Sequence, residues 1–178
     1  MQLFHTDPVL YISSISTGFI EIPGQISLNI YASGCYKRCI SCHNKSLWEF
    51  RTLHVLNRDN YISILKHHPM ASWVCFLGGD AVYQPKGLDL IAELSKKAGK
   101  RVCLYTGCYF LELSGLYKDN IDLIIDGPYI ETKGPINLEE TNQKCYINEK
   151  GIWRVISFNS LKEYLWDIEQ HRDLMKDS

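Results

Sequence analysis

The sequence predicts an α/β fold, an incomplete, open parallel βα barrel, and three observations carry that prediction. Short apolar segments that read as strands alternate with stretches of helical period. Each such strand closes on glycine or polar residues, as the carboxyl ends of parallel strands do where they border a site. The chain has 178 residues, whereas a closed eight-unit barrel takes about 250 and rarely fewer than about 200. The same length, set against about 150 residues per domain, gives a single domain over residues 1–178.

The first strand read from the pattern is Ser27–Ala32, where apolar and polar residues alternate until Ser33-Gly34 breaks the run. A cysteine-bearing loop over 34–44 follows. Arg58–His67 reads as a helix: Tyr61, Ile62 and Leu65 share a face, Asn57 can cap its start and Pro69 stops it. A strand at Trp73–Leu77 runs into Gly78-Gly79. Pro85 then suits the first turn of a helix whose apolar face is Leu88, Ile91, Leu94 and Ala98, with Gly99 past its end. Arg101–Tyr105 repeats the strand pattern and closes at Gly107. A weaker helix is expected near Tyr109–Leu116, then a strand at Ile121–Ile125 closing at Asp126-Gly127. After Gly134, strands near Cys145–Ile147 and Trp153–Ile156 and an amphipathic helix over about 160–175, carrying Leu161, Leu165 and Ile168, complete the chain.

Composition narrows the function classes. A chain 46% hydrophobic and 22% charged, with net charge -1, can bury a core and is not a disordered segment. With 19 basic against 20 acidic residues there is no electrostatic footprint for nucleic acid. No apolar stretch reaches the 18 or so residues of a membrane span and no leader pattern is visible, so a cytoplasmic protein without membrane contact is expected. Seven cysteines, an odd number in such a chain, argue against a disulfide framework and make metal binding the leading explanation for clustered ones.

Three of them are clustered. Cys35, Cys39 and Cys42 form a C-x3-C-x2-C loop directly after a strand, while Cys75, Cys103, Cys108 and Cys145 are scattered singly. A structural zinc site wants four protein ligands, for which His43 or a distant cysteine would be needed. A four-iron cluster held by three cysteines leaves one iron open to a small molecule's donor atoms, so three ligands become a mechanism. Gly78-Gly79-Asp80 at the end of a later strand lets backbone approach a ligand closely. Cys75 and Cys103 read as core thiols. Cys108 is expected near the site as a partly buried thiol, and Asp126 either bonds a ligand's ribose or caps a turn.

The cysteine loop, the Gly-Gly-Asp and the alternating βα units resemble the radical S-adenosylmethionine superfamily over roughly residues 15–156. Within it, Gly34–Trp48, Leu104–Gly107, and Asp126-Gly127 with Asn142-Gln143 are similar to the activating proteins of anaerobic ribonucleoside-triphosphate reductases. His43-Asn44 looks more like the pyruvate formate-lyase activating enzymes. The resemblance implies that Cys35, Cys39 and Cys42 ligate a 4Fe-4S cluster. It implies that Gly78, Gly79 and Asp80 meet the amino group of S-adenosylmethionine, with Ser41, His43 and Asp126 also bordering the cofactor. Ser41 and Ala81 depart from the superfamily, which often has an aromatic residue and a proline there.

The implied activity is that of a glycyl-radical activating enzyme. The cluster would cleave S-adenosylmethionine reductively, and the 5′-deoxyadenosyl radical would take hydrogen from a glycine of the class III reductase. Flavodoxin or a ferredoxin is the implied electron donor. The alternatives are an activase of another glycyl-radical enzyme such as pyruvate formate-lyase, a small-molecule radical enzyme, and a non-enzymatic zinc-binding interaction module. A barrel left open by its length would admit a loop from a large protein, so a macromolecular substrate is expected.

Overall fold

The computed structural model describes residues 7–52, 54–113, 115 and 118–176. Its elements in chain order are β1 (Leu10–Gly18), β2 (Ser27–Ala32), β3 (His54–Leu56), α1 (Arg58–His67), β4 (Trp73–Gly78), α2 (Pro85–Lys97), β5 (Arg101–Tyr105), β6 (Leu123–Asp126), β7 (Lys144–Glu149), β8 (Ile152–Ile156) and α3 (Leu161–Lys176). Among the described residues the strands form one open sheet in the order β3-β1-β2-β4-β5-β6-β7-β8. The four central strands, β2, β4, β5 and β6, are parallel. Antiparallel strands flank them on both sides.

Local chemistry sets these elements where the pattern predicts them. Helix α1 begins with a reciprocal capping box: the Asn57 side chain accepts from the Asn60 amide at 3.0 Å and the Asn60 side chain from the Asn57 amide at 2.9 Å. Helix α2 starts on Pro85 and ends before Gly99, whose φ of +75° suits a glycine past a helix end.

Three expectations are corrected. The flanking strands β1 and β3 were not expected, because a bulge between Ile12 and Ser14 breaks the alternation of β1 and β3 has three residues. Among the described residues between Tyr109 and Leu116 there is a 3-10 turn at Phe110–Glu112 and no longer helix, since Leu113 returns to extended backbone at φ −77°, ψ 132°; Ser114, Leu116 and Tyr117 lie outside the described residues. The strand expected at Ile121–Ile125 runs Leu123–Asp126, with Ile121 buried before it.

The sheet carries a core on each face, following the period of two. On one face Leu28, Ile30, Val74, Phe76, Val102 and Leu104 pack against Tyr61 and Leu65 of α1 and Leu88 and Ile91 of α2. On the other, Trp73, Cys75, Cys103, Leu123, Ile125 and Cys145 pack with Ile22 and with Leu161 and Leu165 of α3. Helices α1 and α2 are tied by one buried polar contact, in which the Tyr61 hydroxyl meets Ser95 Oγ at 2.6 Å while Ser95 Oγ donates to the Ile91 carbonyl at 2.7 Å. Tyr61→Phe removes one hydrogen bond and keeps the ring, so the urea midpoint should fall by the equivalent of about 1 kcal/mol with an unchanged m-value. An unaltered midpoint would show that this contact contributes nothing. Among the described residues no helix is long and apolar enough to cross a membrane.

Candidate metal and cofactor site

The carboxyl ends of β2, β4, β5 and β6 border a cleft of about 230 Å³. It is lined from the cysteine loop by Cys35, Lys37, Cys39, Cys42, His43 and Asn44, from β4 by Leu77, Gly78, Gly79 and Asp80, and from β5 by Tyr105, Thr106 and Gly107. Gly127, Tyr129 and Gln143 complete it.

The cysteine loop is a closed excursion. Its neck is fastened by two backbone bonds, Gly34 N–H to the Leu47 carbonyl at 2.9 Å and Cys35 N–H to the Trp48 carbonyl at 3.0 Å. Gly34 has φ +90°, and a Cβ there would stand 2.2 Å from the Phe50 ring. Within the loop the Cys42 amide donates to the Cys39 carbonyl at 3.0 Å, and Cys42 Sγ accepts from the Asn44 amide at 3.3 Å. All three thiols are free; Cys35 is buried at the root, while Cys39 and Cys42 are half-buried. Burial pushes the Cys35 thiol up, against the pull of the Arg38 and Lys37 amides.

The Gly-Gly-Asp turn is built around the root of this loop. Gly79 N–H donates to the Ala32 carbonyl at 2.8 Å and Asp80 N–H to the Gly34 carbonyl at 2.7 Å. A Cβ on Gly79 would lie 2.4 Å from the Gly34 oxygen, and one on Gly78, already at φ +96°, 2.8 Å from the Tyr31 Cα. Both contacts are with backbone, so neither can yield by a side-chain rotation. The Gln84 side chain fastens the same region. It donates to the Tyr11 and Ser33 carbonyls at 2.8 and 2.9 Å and accepts from the Tyr11 amide at 2.7 Å. Sequence reasoning passed over Gln84, because its partners are backbone groups far away in the chain.

Asp80 is 1% exposed. Its Oδ2 accepts from Thr106 Oγ1 at 2.8 Å and the Gly107 amide at 2.9 Å, and its Oδ1 from the Val82 amide at 3.3 Å. Burial raises its pKa to about 6, with those three donors and Lys37 pulling the other way. The carboxylate thus joins the ends of β4 and β5. Lys37 reaches Glu112 at 3.1 Å. Burial works against its ammonium, but the Glu112 hydrogen bond and the charges of Cys108, Glu112 and Asp80 outweigh it and hold the pKa above the ordinary lysine value.

The structure gathers Cys35, Cys39, Cys42, His43, Gly78, Gly79 and Asp80 at one cleft and leaves two expected residues out of its lining. The Asp126 carboxylate is buried and accepts from the Phe110 and Lys144 amides at 2.7 and 3.0 Å. These bonds tie the end of β6 to the segment after β5 and to the start of β7. Ser41 Oγ donates to Glu131 at 2.8 Å. Cys108 is half-buried, its sulfur 3.8 Å from the Tyr83 hydroxyl. Cys75 and Cys103 are fully buried at matching positions of β4 and β5.

The donor set fits an iron–sulfur cluster. Three free thiols line one cleft, the ligand type and number for a cluster that keeps one iron without a protein ligand. The model of a family described as 4Fe-4S single cluster domains matches residues 23–146. The chain belongs to that family. Within reach of this member, the anaerobic ribonucleoside-triphosphate reductase-activating protein of Enterobacteria phage T4 is 28% identical over 147 residues, covering 76% of this chain and 92% of the phage protein. The pyruvate formate-lyase-activating enzyme of Clostridium pasteurianum is 29% identical over 99 residues, 53% of this chain and 41% of that enzyme. The crystal structure of QueE from Escherichia coli shares the fold, with a TM-score of 0.55 at 14% identity over 96% of this chain and 78% of that one. The cluster expected from the cysteine loop is therefore the family's own, and the largely parallel open sheet is the expected fold class with antiparallel flanks.

Proposed function

We propose that this protein is a radical S-adenosylmethionine oxidoreductase of the glycyl-radical activating kind, and that its substrate is a glycine of anaerobic ribonucleoside-triphosphate reductase. The observation that carries this reading is the meeting of Cys35, Cys39 and Cys42 with the Gly78-Gly79 edge at one cleft, in a chain that aligns with nearly all of the phage activating protein. Cluster and S-adenosylmethionine, when bound, supply one-electron cleavage of a carbon–sulfur bond and with it hydrogen abstraction.

The chain's own residues bind and orient. Cys35, Cys39 and Cys42 would each hold one iron, and the closed neck of their loop keeps the loop beside the strand ends. Gly78 and Gly79 allow a strand end to approach an amino group, whose acceptors are carbonyls because the Asp80 oxygens are engaged. Lys37 is the one lysine or arginine among the described lining residues and so the cation for the amino acid's carboxylate, which it would share with Glu112. In this reading the whole of 1–178 acts as one unit, in the cytoplasm, with electrons delivered by flavodoxin or a ferredoxin.

The test mixes the reduced, reconstituted protein with the reductase and S-adenosylmethionine and looks for a glycyl radical by electron paramagnetic resonance. Efficient release of 5′-deoxyadenosine without a radical on the reductase would sink this partner. The likeness to the Clostridium enzyme makes pyruvate formate-lyase the second substrate to try.

A further inference from the structure

The cleft has two chemically distinct parts. Cys35, Lys37 and Asp80 supply thiol and charge around the β4 turn. The other part is aromatic: the His43 and Tyr129 rings, both in the lining, lie with centroids 4.6 Å apart at 49°. Tyr129 belongs to neither core, and among the described residues its ring neighbour is His43.

Three hydrogen bonds fasten the backbone that leads into Tyr129. Gly127, at φ +90°, donates its amide to the Cys108 carbonyl at 3.0 Å. The Gly127 carbonyl accepts from Gln143 Nε2 at 3.1 Å and the Pro128 carbonyl from Asn142 Nδ2 at 2.8 Å. Pro128 fixes its own φ. A turn tied this firmly, ending in a tyrosine that packs against no core, presents a preorganised flat apolar surface to the cleft. The other tyrosine of the lining, Tyr105, is committed elsewhere, its hydroxyl donating to the Glu21 carbonyl at 2.6 Å.

A ligand made of an amino acid joined to a nucleoside has complementary halves. Its aminocarboxylate suits the charged part, and its purine needs a π face. We propose that Tyr129, backed by His43, is the stacking platform for the adenine of S-adenosylmethionine. This assignment rests on the proposed function and adds the orientation of the ligand in the cleft.

The test is equilibrium dialysis of labelled S-adenosylmethionine against the anaerobically reconstituted full chain, with the electron paramagnetic resonance spectrum of the reduced cluster recorded at saturating ligand. Loss of base stacking should weaken binding by about fivefold to a hundredfold in Tyr129→Leu. Tyr129→Phe should bind as the unaltered protein does, and the saturated cluster spectrum should be the same in all three, because the amino-acid half still reaches the cluster. Equal affinity in Tyr129→Leu would overturn the platform. So would equal weakening in Tyr129→Phe, which would assign the effect to the hydroxyl. A Tyr129→Leu protein that loses its cluster would overturn it too, by making the residue structural. If the unaltered protein carries a full cluster and binds no S-adenosylmethionine, the functional reading itself fails before any variant is made, and the platform falls with it.

Discussion

Alanine at Cys39 leaves a folded protein that cannot hold its cluster: after anaerobic reconstitution its iron falls to background, and cleavage of S-adenosylmethionine disappears with it. The expectation of a folded protein comes from position. Cys39 is half-buried on the loop and contributes to neither core, and the neck of the loop is fastened by backbone bonds at Gly34 and Cys35 that the substitution does not touch. The expectation of lost iron comes from arithmetic, since two thiolates cannot hold a cluster that already leaves one iron without a protein ligand. Cys75→Ala is the matched control. That thiol is fully buried between strands, so its loss should lower stability and leave the iron content unchanged. Unimpaired iron and cleavage in the Cys39→Ala protein would remove this site, and an unaltered protein that holds zinc and no iron would favour an interaction module.

The parts of this molecule that were legible in its sequence are those governed by near neighbours. Asn57 and Asn60 cap each other three residues apart, Pro85 and Gly99 bracket α2, and three cysteines within eight positions announce a metal site. The flanking strands were not legible, because the bulge in β1 destroys the period that would have marked it. Nor was the division of labour among the carboxylates. Asp80 and Asp126 both stand at the carboxyl ends of buried strands, and only the partners supplied by other parts of the chain show that each is engaged by backbone donors. Tyr129 escaped for the same reason: a lone tyrosine after Gly-Pro carries no signal until the fold brings His43 against it.

The Asp80 carboxylate makes the strongest prediction about stability, because it is the acceptor on which two strand ends depend. Asp80→Ala would leave the Thr106 hydroxyl and the Gly107 and Val82 amides without their acceptor where the parent residue was 1% exposed. A buried orphan costs about 1–3 kcal/mol; the Thr106 bond is buried and the two amide bonds part-buried, so this variant should lose a large share of a typical total stability of about 5–15 kcal/mol. Asp80→Asn keeps the shape and removes the titration, which separates the two effects. The folded pKa is about 6 against 3.8 for an ordinary aspartate, and that fixes the sign. Between those values the unfolded chain has released the Asp80 proton while the folded chain keeps it, so the unfolded state binds fewer protons and stability falls as pH rises. The decrease begins near the unfolded pKa, is complete above the folded one, and is on the order of 3 kcal/mol. Urea unfolding under anaerobic conditions from pH 4 to pH 7 should therefore show a difference between the parent and Asp80→Asn proteins that shifts in favour of Asp80→Asn as pH rises. A difference that stays constant with pH would mean that Asp80 ionises as readily in the fold as in water. In that case the bonds from Thr106 and Gly107 would outweigh the burial of the carboxylate, and the ends of β4 and β5 would be held together by a fixed negative charge beside the cysteine loop.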